Sequence, residues 1–144
     1  MTMPNGRTHD IITVVAAPIV AVASYYLTKN FLTTGIILGC YLFASFMFNG
    51  DLDMNSAPYN RWWLFKMIWI PYQLMFHHRS VFTHGLVVGT IIRILYLSII
   101  PIIIFSFKGD LHVVKAINWH LLLQICIGLE AGAAIHTIAD YTIM

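Results

Sequence analysis

An all-α membrane protein, with about four transmembrane helices plus an interfacial helical segment, is the fold class that the sequence predicts. Three observations predict it. The 144 residues are 59% hydrophobic and 10% charged, with a mean hydropathy of +0.77, whereas soluble proteins carry about 25% charged residues. Four stretches are long and apolar enough for helices crossing roughly 30 Å of hydrocarbon, which takes about 17 to 25 residues each. Most of the polar residues gather at the ends of those stretches. Such continuous apolar surface does not suit a water-facing amphipathic helix, and a closed barrel would need shorter, alternating strands.

The spans fall at residues 11–28, 31–48, 84–107 and 117–139. Lys29 and Asn30 close the first, Asn49 and Gly50 the second, Lys108 and Gly109 the third. Pro18 and Pro101 lie inside spans, where a kink opens the backbone ladder and a neighbouring group must satisfy it. Gly35 and Gly39, Gly85 and Gly89, and Gly128 and Gly132 form three pairs spaced by four. Each pair puts two glycines on one helix face and predicts close interhelical packing, with a substrate groove as the other use. Residues 61–76 are rich in Trp, Phe, Ile and Met but interrupted by Lys66, Pro71 and Gln73. That segment is too short before Pro71 to cross, and its aromatic and basic residues suit an interfacial anchor; a re-entrant pocket segment is the alternative. Residues 1–144 read as a single polytopic domain, with residues 50–83 as its metal-site and interfacial connection.

Composition also excludes classes of function. Eight Lys plus Arg against six Asp plus Glu, without a basic run, give no case for a nucleic-acid partner. Cys40 and Cys126 provide neither a disulfide framework nor a Cys-rich metal site and read as small hydrophobes. The opening MTMPNGRTHD lacks the pattern of a removable signal peptide.

Parity makes the polar residues informative. With four crossings, the start of span one, the end of span two, the start of span three and the end of span four share one side. Those ends carry His9 and Asp10, Asp51 and Asp53, the segment 77–84, and His136 with Asp140. Arg7, Arg61, Lys66 and Arg79 lie on that side against Lys29, Lys108 and Lys115 on the other, which places the cluster and both termini in the cytoplasm by the positive-inside rule.

His136 and Asp140, four apart, share a helix face and form a nitrogen/oxygen pair suited to a metal; an interfacial ion pair is the plainer use. Asp51 and Asp53 sit in a Gly-Asp-Leu-Asp turn, where they either bind an ion, orient a histidine, or simply cap a solvated loop. His77, His78, Arg79 and His84 form the densest signal, HHRSVFTH. There His78 and His84 are ligand candidates, Arg79 suits an anionic oxygen, His77 is interfacial or orienting, and Ser80 or Thr83 caps the next helix. At the amino terminus His9 is a ligand candidate, while Asp10 is a ligand, a water-orienting base or a helix-start residue. A mixed His/carboxylate set holds one or two divalent ions and suits Zn, Mn or Fe better than Mg. Arg93 and Glu130 each lie roughly 14 Å into their spans at about 1.5 Å per residue, so they are expected to form an intramembrane charge pair or to line one hydrated cavity.

In the order GRTHD, GDLD, HHRSVFTH and a closing His-x-x-x-Asp, the chain resembles a bacterial family of metal-binding membrane proteins. That family is related to an inner-membrane metal-dependent hydrolase-like group whose characteristic segment resembles His-Arg-Gly-x-Thr-His. The resemblance runs from Asn5 to Asp140. It implies a small multi-helix membrane protein with a His/Asp metal centre at His9, Asp10, Asp51, Asp53, His78, Arg79, His84, His136 and Asp140. Ser80 stands where the broader pattern has Gly, and Gly85 where it often has Ser, which weakens transfer of a detailed hydrolase mechanism.

The expectation is therefore a metal-dependent hydrolase of the bacterial inner membrane, acting on a phosphate-containing lipid or membrane-associated phosphoester. Asp10 and Arg79 are its expected catalytic residues, and His9, Asp51, Asp53, His78, His84, His136 and Asp140 its metal ligands. In that mechanism the metal activates water, Arg79 stabilises phosphoryl charge and an Asp orients the nucleophile. The alternative is a metal-stabilised structural or assembly subunit of a membrane-protein complex. Expected partners are membrane lipid and either such a complex or further copies of the chain. Metal transport is disfavoured, because the ligands cluster at one face and no polar path reaches the other.

Overall fold

The computed structural model describes residues 6–78, 80–108 and 117–142, and every regular element among them is helical. Arg79 and Lys115, which carry two of the expectations above, lie outside the described residues. Four long helices dominate: α1 (Gly6–Thr28), α2 (Phe31–Met47), α6 (Val88–Lys108) and α7 (Trp119–Thr142). With α2 continued to Asp53, all four are long and apolar enough to cross a membrane. Between α2 and α6 run a 3₁₀ turn at Gly50–Asp53, α3 (Ala57–Arg61), a second 3₁₀ stretch at Trp63–Trp69, α4 (Ile70–Met75) and α5 (Val81–His84).

The connection between α1 and α2 is two residues long. Lys29 takes a left-handed φ of 51°, and the Asn30 side chain caps α2 by accepting from the Thr33 N–H at 3.1 Å. α2 then packs against α7 through glycine. A Cβ at Gly128 would stand 2.6 Å from the Ile37 carbonyl oxygen, and one at Gly132 would stand 2.4 Å from that of Tyr41. The Tyr41 hydroxyl meanwhile donates to the Thr13 carbonyl at 2.9 Å and ties α1 to α2.

The other two glycine pairs do not pack helices in this way. A Cβ added at Gly35 or Gly39 on α2 would meet nothing within 4 Å among the described residues. At Gly85 and Gly89 the neighbours are the backbone oxygens of Val81 and Thr83, so that pair makes room for a turn.

Residues 61–76 form two helical pieces. Pro71 sits in the first turn of α4, where its missing N–H costs no helical bond. The segment is fastened to the end of α2, whose last carbonyls lack helical partners. Arg61 Nη1 donates to the Phe46 carbonyl at 3.0 Å and Trp62 Nε1 to that of Met47 at 2.7 Å. Trp69 and Tyr72 turn inward, fully buried among Phe48, Trp62 and Tyr96. Trp63, Leu64, Phe65 and Met67 turn outward and are exposed. The third long helix starts at Val88 rather than at residue 84, because an extended Gly85 and a Val87 at φ 65° separate it from α5.

Candidate metal centre

Four separate segments bring imidazoles and carboxylates together at one end of the bundle. α1 contributes His9 from its first turns, and the 3₁₀ turn after α2 contributes Asp51 and Asp53. α5 contributes His84 from its last residue, and the final turns of α7 contribute His136 and Asp140. His9, Asp53, His84, His136 and Asp140 are buried, and Asp51 is half-buried.

The 3₁₀ turn is built by its cap. Fully buried Asn49 donates from Nδ2 to the Ser45 carbonyl at 2.8 Å and accepts from the Asp51 N–H at 3.2 Å. Ser56 Oγ donates to the Asp51 carbonyl at 2.7 Å. With the turn fixed, Asp51 and Asp53 reach the two nitrogens of one ring. His84 Nε2 lies 3.3 Å from Asp51 Oδ1, and His84 Nδ1 lies 3.6 Å from Asp53 Oδ2.

The Asp51 side of that ring closes into a circle of donors. His136 Nε2 stands 3.2 Å from Asp51 Oδ2 and 3.5 Å from Asp140 Oδ2, and His84 Nε2 stands 3.9 Å from Asp140 Oδ2. His9 Nε2 joins at 3.1 Å from Asp140 Oδ1, its ring 4.3 Å from that of His136. Ligands held at about 2.0–2.2 Å from one ion stand about 3.0–3.5 Å apart, the range that most of this circle spans.

The hydrogen bonding also fits a cation. His136 Nε2 is buried and close to two carboxylates, yet it has a hydrogen-bond alignment to neither; among the described residues, His136 Nδ1 and His9 Nδ1 are buried without a partner as well. Buried polar atoms are ordinarily satisfied, and a divalent ion inside the circle would satisfy His136 Nε2 and both carboxylates together. On the far side of His84, Asp53 Oδ1 is 2.7 Å from His78 Nδ1, and Asp53, His78 and His84 form a second ligand-like group.

A cavity of about 360 Å³ opens on the centre. His9, Asp51, His78, His136 and Asp140 face it, as do Arg7, Asp10 and Arg61. Its size lies within the range of small-molecule sites, about 300–1,000 Å³.

Every residue expected to be a metal ligand takes part in one of these contacts. Asp51, Asp53 and Asp140 approach His84 directly, His78 enters through Asp53, and His9 and His136 enter through Asp140. Asp10 is not among them; its carboxylate is held by Arg61 Nη2 at the cavity wall. His77 is exposed. Arg79, the other expected catalytic residue, lies outside the described residues.

The expected Arg93–Glu130 pair is not formed. Arg93 Nη1 donates to the Thr83 carbonyl at 2.7 Å and Nη2 to Thr90 Oγ1 at 3.1 Å, while Glu130 Oε1 accepts the Val87 N–H at 2.8 Å. The break before α6 offers both charges a backbone partner, and they take it in place of one another. Asn49, Gly50 and Arg61 were not singled out as site residues by the sequence; Asn49 had a visible signal, an N-cap residue directly before Gly-Asp. Gly50 gave none: a Cβ there would stand 2.9 Å from the His84 ring.

Comparison with known proteins supplies two relations. The model of the family described as "Uncharacterized metal-binding protein (DUF2227)" matches residues 4–144. A protein of Aquifex aeolicus (strain VF5), described as an uncharacterized protein, is 37% identical over 58 residues, a match covering 40% of each chain. The chain therefore spans well under two thirds of that bacterial relative. No solved structure matches.

Proposed function

The chain belongs to this family of metal-binding proteins, and on that premise we propose that it is a metal-dependent hydrolase of the bacterial inner membrane. Its substrate is a phosphate-containing lipid or another membrane-associated phosphoester, approached from the cytoplasmic side. One observation carries the reading: the circle of His84, Asp51, His136 and Asp140 lies beside a cavity that also bears two arginines.

Two ligand-like groups, His9 with His136 and Asp140 and Asp51 with His84 and Asp140, share Asp140 and together make the proposed ligand set for one ion, while Asp53 and His78 form a further group with His84. Three or more imidazoles favour Zn, Mn or Fe over Mg. Bound there, a divalent ion supplies Lewis acidity towards a phosphoryl oxygen. Arg7, at the cavity wall and without a carboxylate partner among the described residues, attracts and orients an anionic group. Arg61 holds Asp10 at the same wall, where the carboxylate orients water. His78, oriented through Nδ1 by buried Asp53, borders the cavity as part of that further group. The exposed aromatic face of residues 63–67 lies in the interfacial segment, consistent with a substrate presented by the bilayer.

The test is metal analysis and phosphoester turnover of protein purified without chelators into lipid nanodiscs. The expected result is a bound first-row metal and release of phosphate or headgroup from anionic phospholipid, with His136→Ala and Asp51→Asn each lowering turnover by about 100-fold or more. Metal without turnover would instead favour the second reading, a metal-stabilised assembly subunit. The observation behind that reading is the small-residue face of α2 at Gly35 and Gly39, which no described residue of the chain covers.

A further inference from the structure

The two charged residues deepest in the long helices touch no carboxylate or imidazole of the centre, but both hold the segment that presents His84. α5 ends at His84 and α6 begins at Val88, so three residues run between them outside either helix. Such a break leaves backbone groups without a partner in either helix. Here the groups are taken at both ends. Arg93, 1% exposed, donates to the Thr83 carbonyl at 2.7 Å from one side. Glu130 on α7 accepts the Val87 N–H at 2.8 Å from the other.

Several local features make room for these two contacts. Val87 adopts φ 65°, a conformation that costs a β-branched residue free energy and persists only where its surroundings hold it. Gly89 leaves the space for the first contact, since a Cβ there would stand 2.6 Å from the Thr83 oxygen and 3.3 Å from Arg93 Nη1. Thr90 Oγ1 receives the other guanidinium nitrogen at 3.1 Å, and the Phe48 ring faces the guanidinium at 5.5 Å. Thr83 itself sets its hydroxyl 3.1 Å from His84 Nδ1.

We propose that Arg93 and Glu130 are positioning residues, a two-ended clamp on residues 83–87 that fixes the His84 imidazole in the metal centre. Glu130 shares α7 with His136 and Asp140, so its bond to Val87 sets the distance between the ligand on α5 and the two on α7. Arg93 sets the height of the same segment against α6. This inference rests on the metal-centre reading, but it assigns a duty to residues outside the ligand set.

The test is Co(II) binding to the full chain in nanodiscs, read by its visible ligand-field spectrum and by competition against a chelating dye. Glu130→Gln keeps an acceptor oxygen at the same reach and should bind Co(II) like the wild type. Glu130→Asp keeps the charge but withdraws the oxygen by one methylene; Glu130→Met and Arg93→Met remove the contacts altogether. Those three should weaken Co(II) binding by about tenfold or more, the scale on which partners behind metal ligands act, and should alter the spectrum of the ion that still binds. If either methionine variant fails to fold, the comparison of Glu130→Asp with Glu130→Gln decides. Asp and Met variants that bind with wild-type affinity and spectrum overturn the clamp while leaving the metal centre standing. A purely structural role would lower the melting temperature of the metal-free protein with the affinity and spectrum unchanged, and also overturns it. A wild-type chain that takes up no Co(II) overturns the metal-centre reading and the clamp with it.

Discussion

His84 sits where only a hydrogen fits opposite its ring. The Gly50 Cα faces the imidazole so closely that an added Cβ would stand 2.9 Å from two ring atoms, and Thr83, Asp51 and Asp53 surround the remainder. Gly50→Ala should therefore displace the ring and lower metal affinity by about tenfold or more, while the metal-free protein melts close to the wild type. Unchanged affinity, measured by dye competition, would mean that the ring has room to move and that Gly50 does not hold His84 in place. The contrast with His136 shows what a sequence makes legible at this scale. His136 and Asp140 share a helix face by spacing alone, and helix-end parity brings them to His9, Asp51 and His84. Gly50 carries no such signal, because its role depends on which ring comes to lie against it, and Asn49 shows only as a cap before Gly-Asp, not as the residue that fixes the turn to the Ser45 carbonyl. Arg93 and Glu130 mark the boundary between the two cases. Equal depth fixes height along the bundle, but not the direction in which a guanidinium turns around its helix, and the Thr83 carbonyl lay closer to hand than the carboxylate.

Helices α2 and α7 define the centre's width, because Asp51 follows one and His136 and Asp140 end the other. Their separation is set by Gly128 and Gly132 against the backbone at Ile37, Tyr41 and Ser45. Ser45 Oγ donates to the Gly132 carbonyl at 3.3 Å across the same contact. Gly132→Val should push the helices apart at a cost of about 1–3 kcal/mol, as overpacking does, and should reduce metal loading at the same time. Gly39→Val, whose Cβ would meet nothing within 4 Å, should leave the fold and the loading of a single chain unchanged. Thermal melting and metal content of the two variants check the pair; equal effects would contradict the close approach at Gly132. Spacing by four identified all three glycine pairs equally, since it reports a shared helix face and not what lies opposite. The long helices were legible from apolar length, and α2 begins and ends within a residue of the expected 31–48. The break between α5 and α6 was not, because residues 84–107 are apolar throughout that stretch apart from His84, Thr90, Arg93, Ser98 and Ser106. Hydropathy reads the burial of side chains, whereas the break is a backbone event at Gly85 and Val87.

Across the whole molecule, the proposed ligands lie at positions 9, 51, 84, 136 and 140, so one ion held by them would join segments drawn from nearly the full length of the chain. Without it, the same place gathers Asp51 and Asp140 around His136 Nε2 with no hydrogen bond aligned between them. Carboxylates brought together inside a low-dielectric end of a bundle repel, and each carries a desolvation cost that only a cation or a well-made hydrogen bond offsets. Removal of the ion should therefore loosen the end of the bundle that holds all four segments, and do so before the far end responds. Binding to the folded state alone stabilises it by about 4 kcal/mol when the free ion is present at about 1,000 times its dissociation constant. Treatment with a chelator should lower the melting temperature in nanodiscs, and restoring Zn(II) or Mn(II) should recover it. Hydrogen exchange should show the loss of protection concentrated in residues 50–53, 81–88 and 132–140, with the connection between α1 and α2 at Lys29 and Asn30 unaffected. A melting temperature indifferent to chelation, or a loss of protection spread evenly over both ends, would mean that the bundle holds together without an ion and that the circle of donors is a hydrogen-bonded end cap.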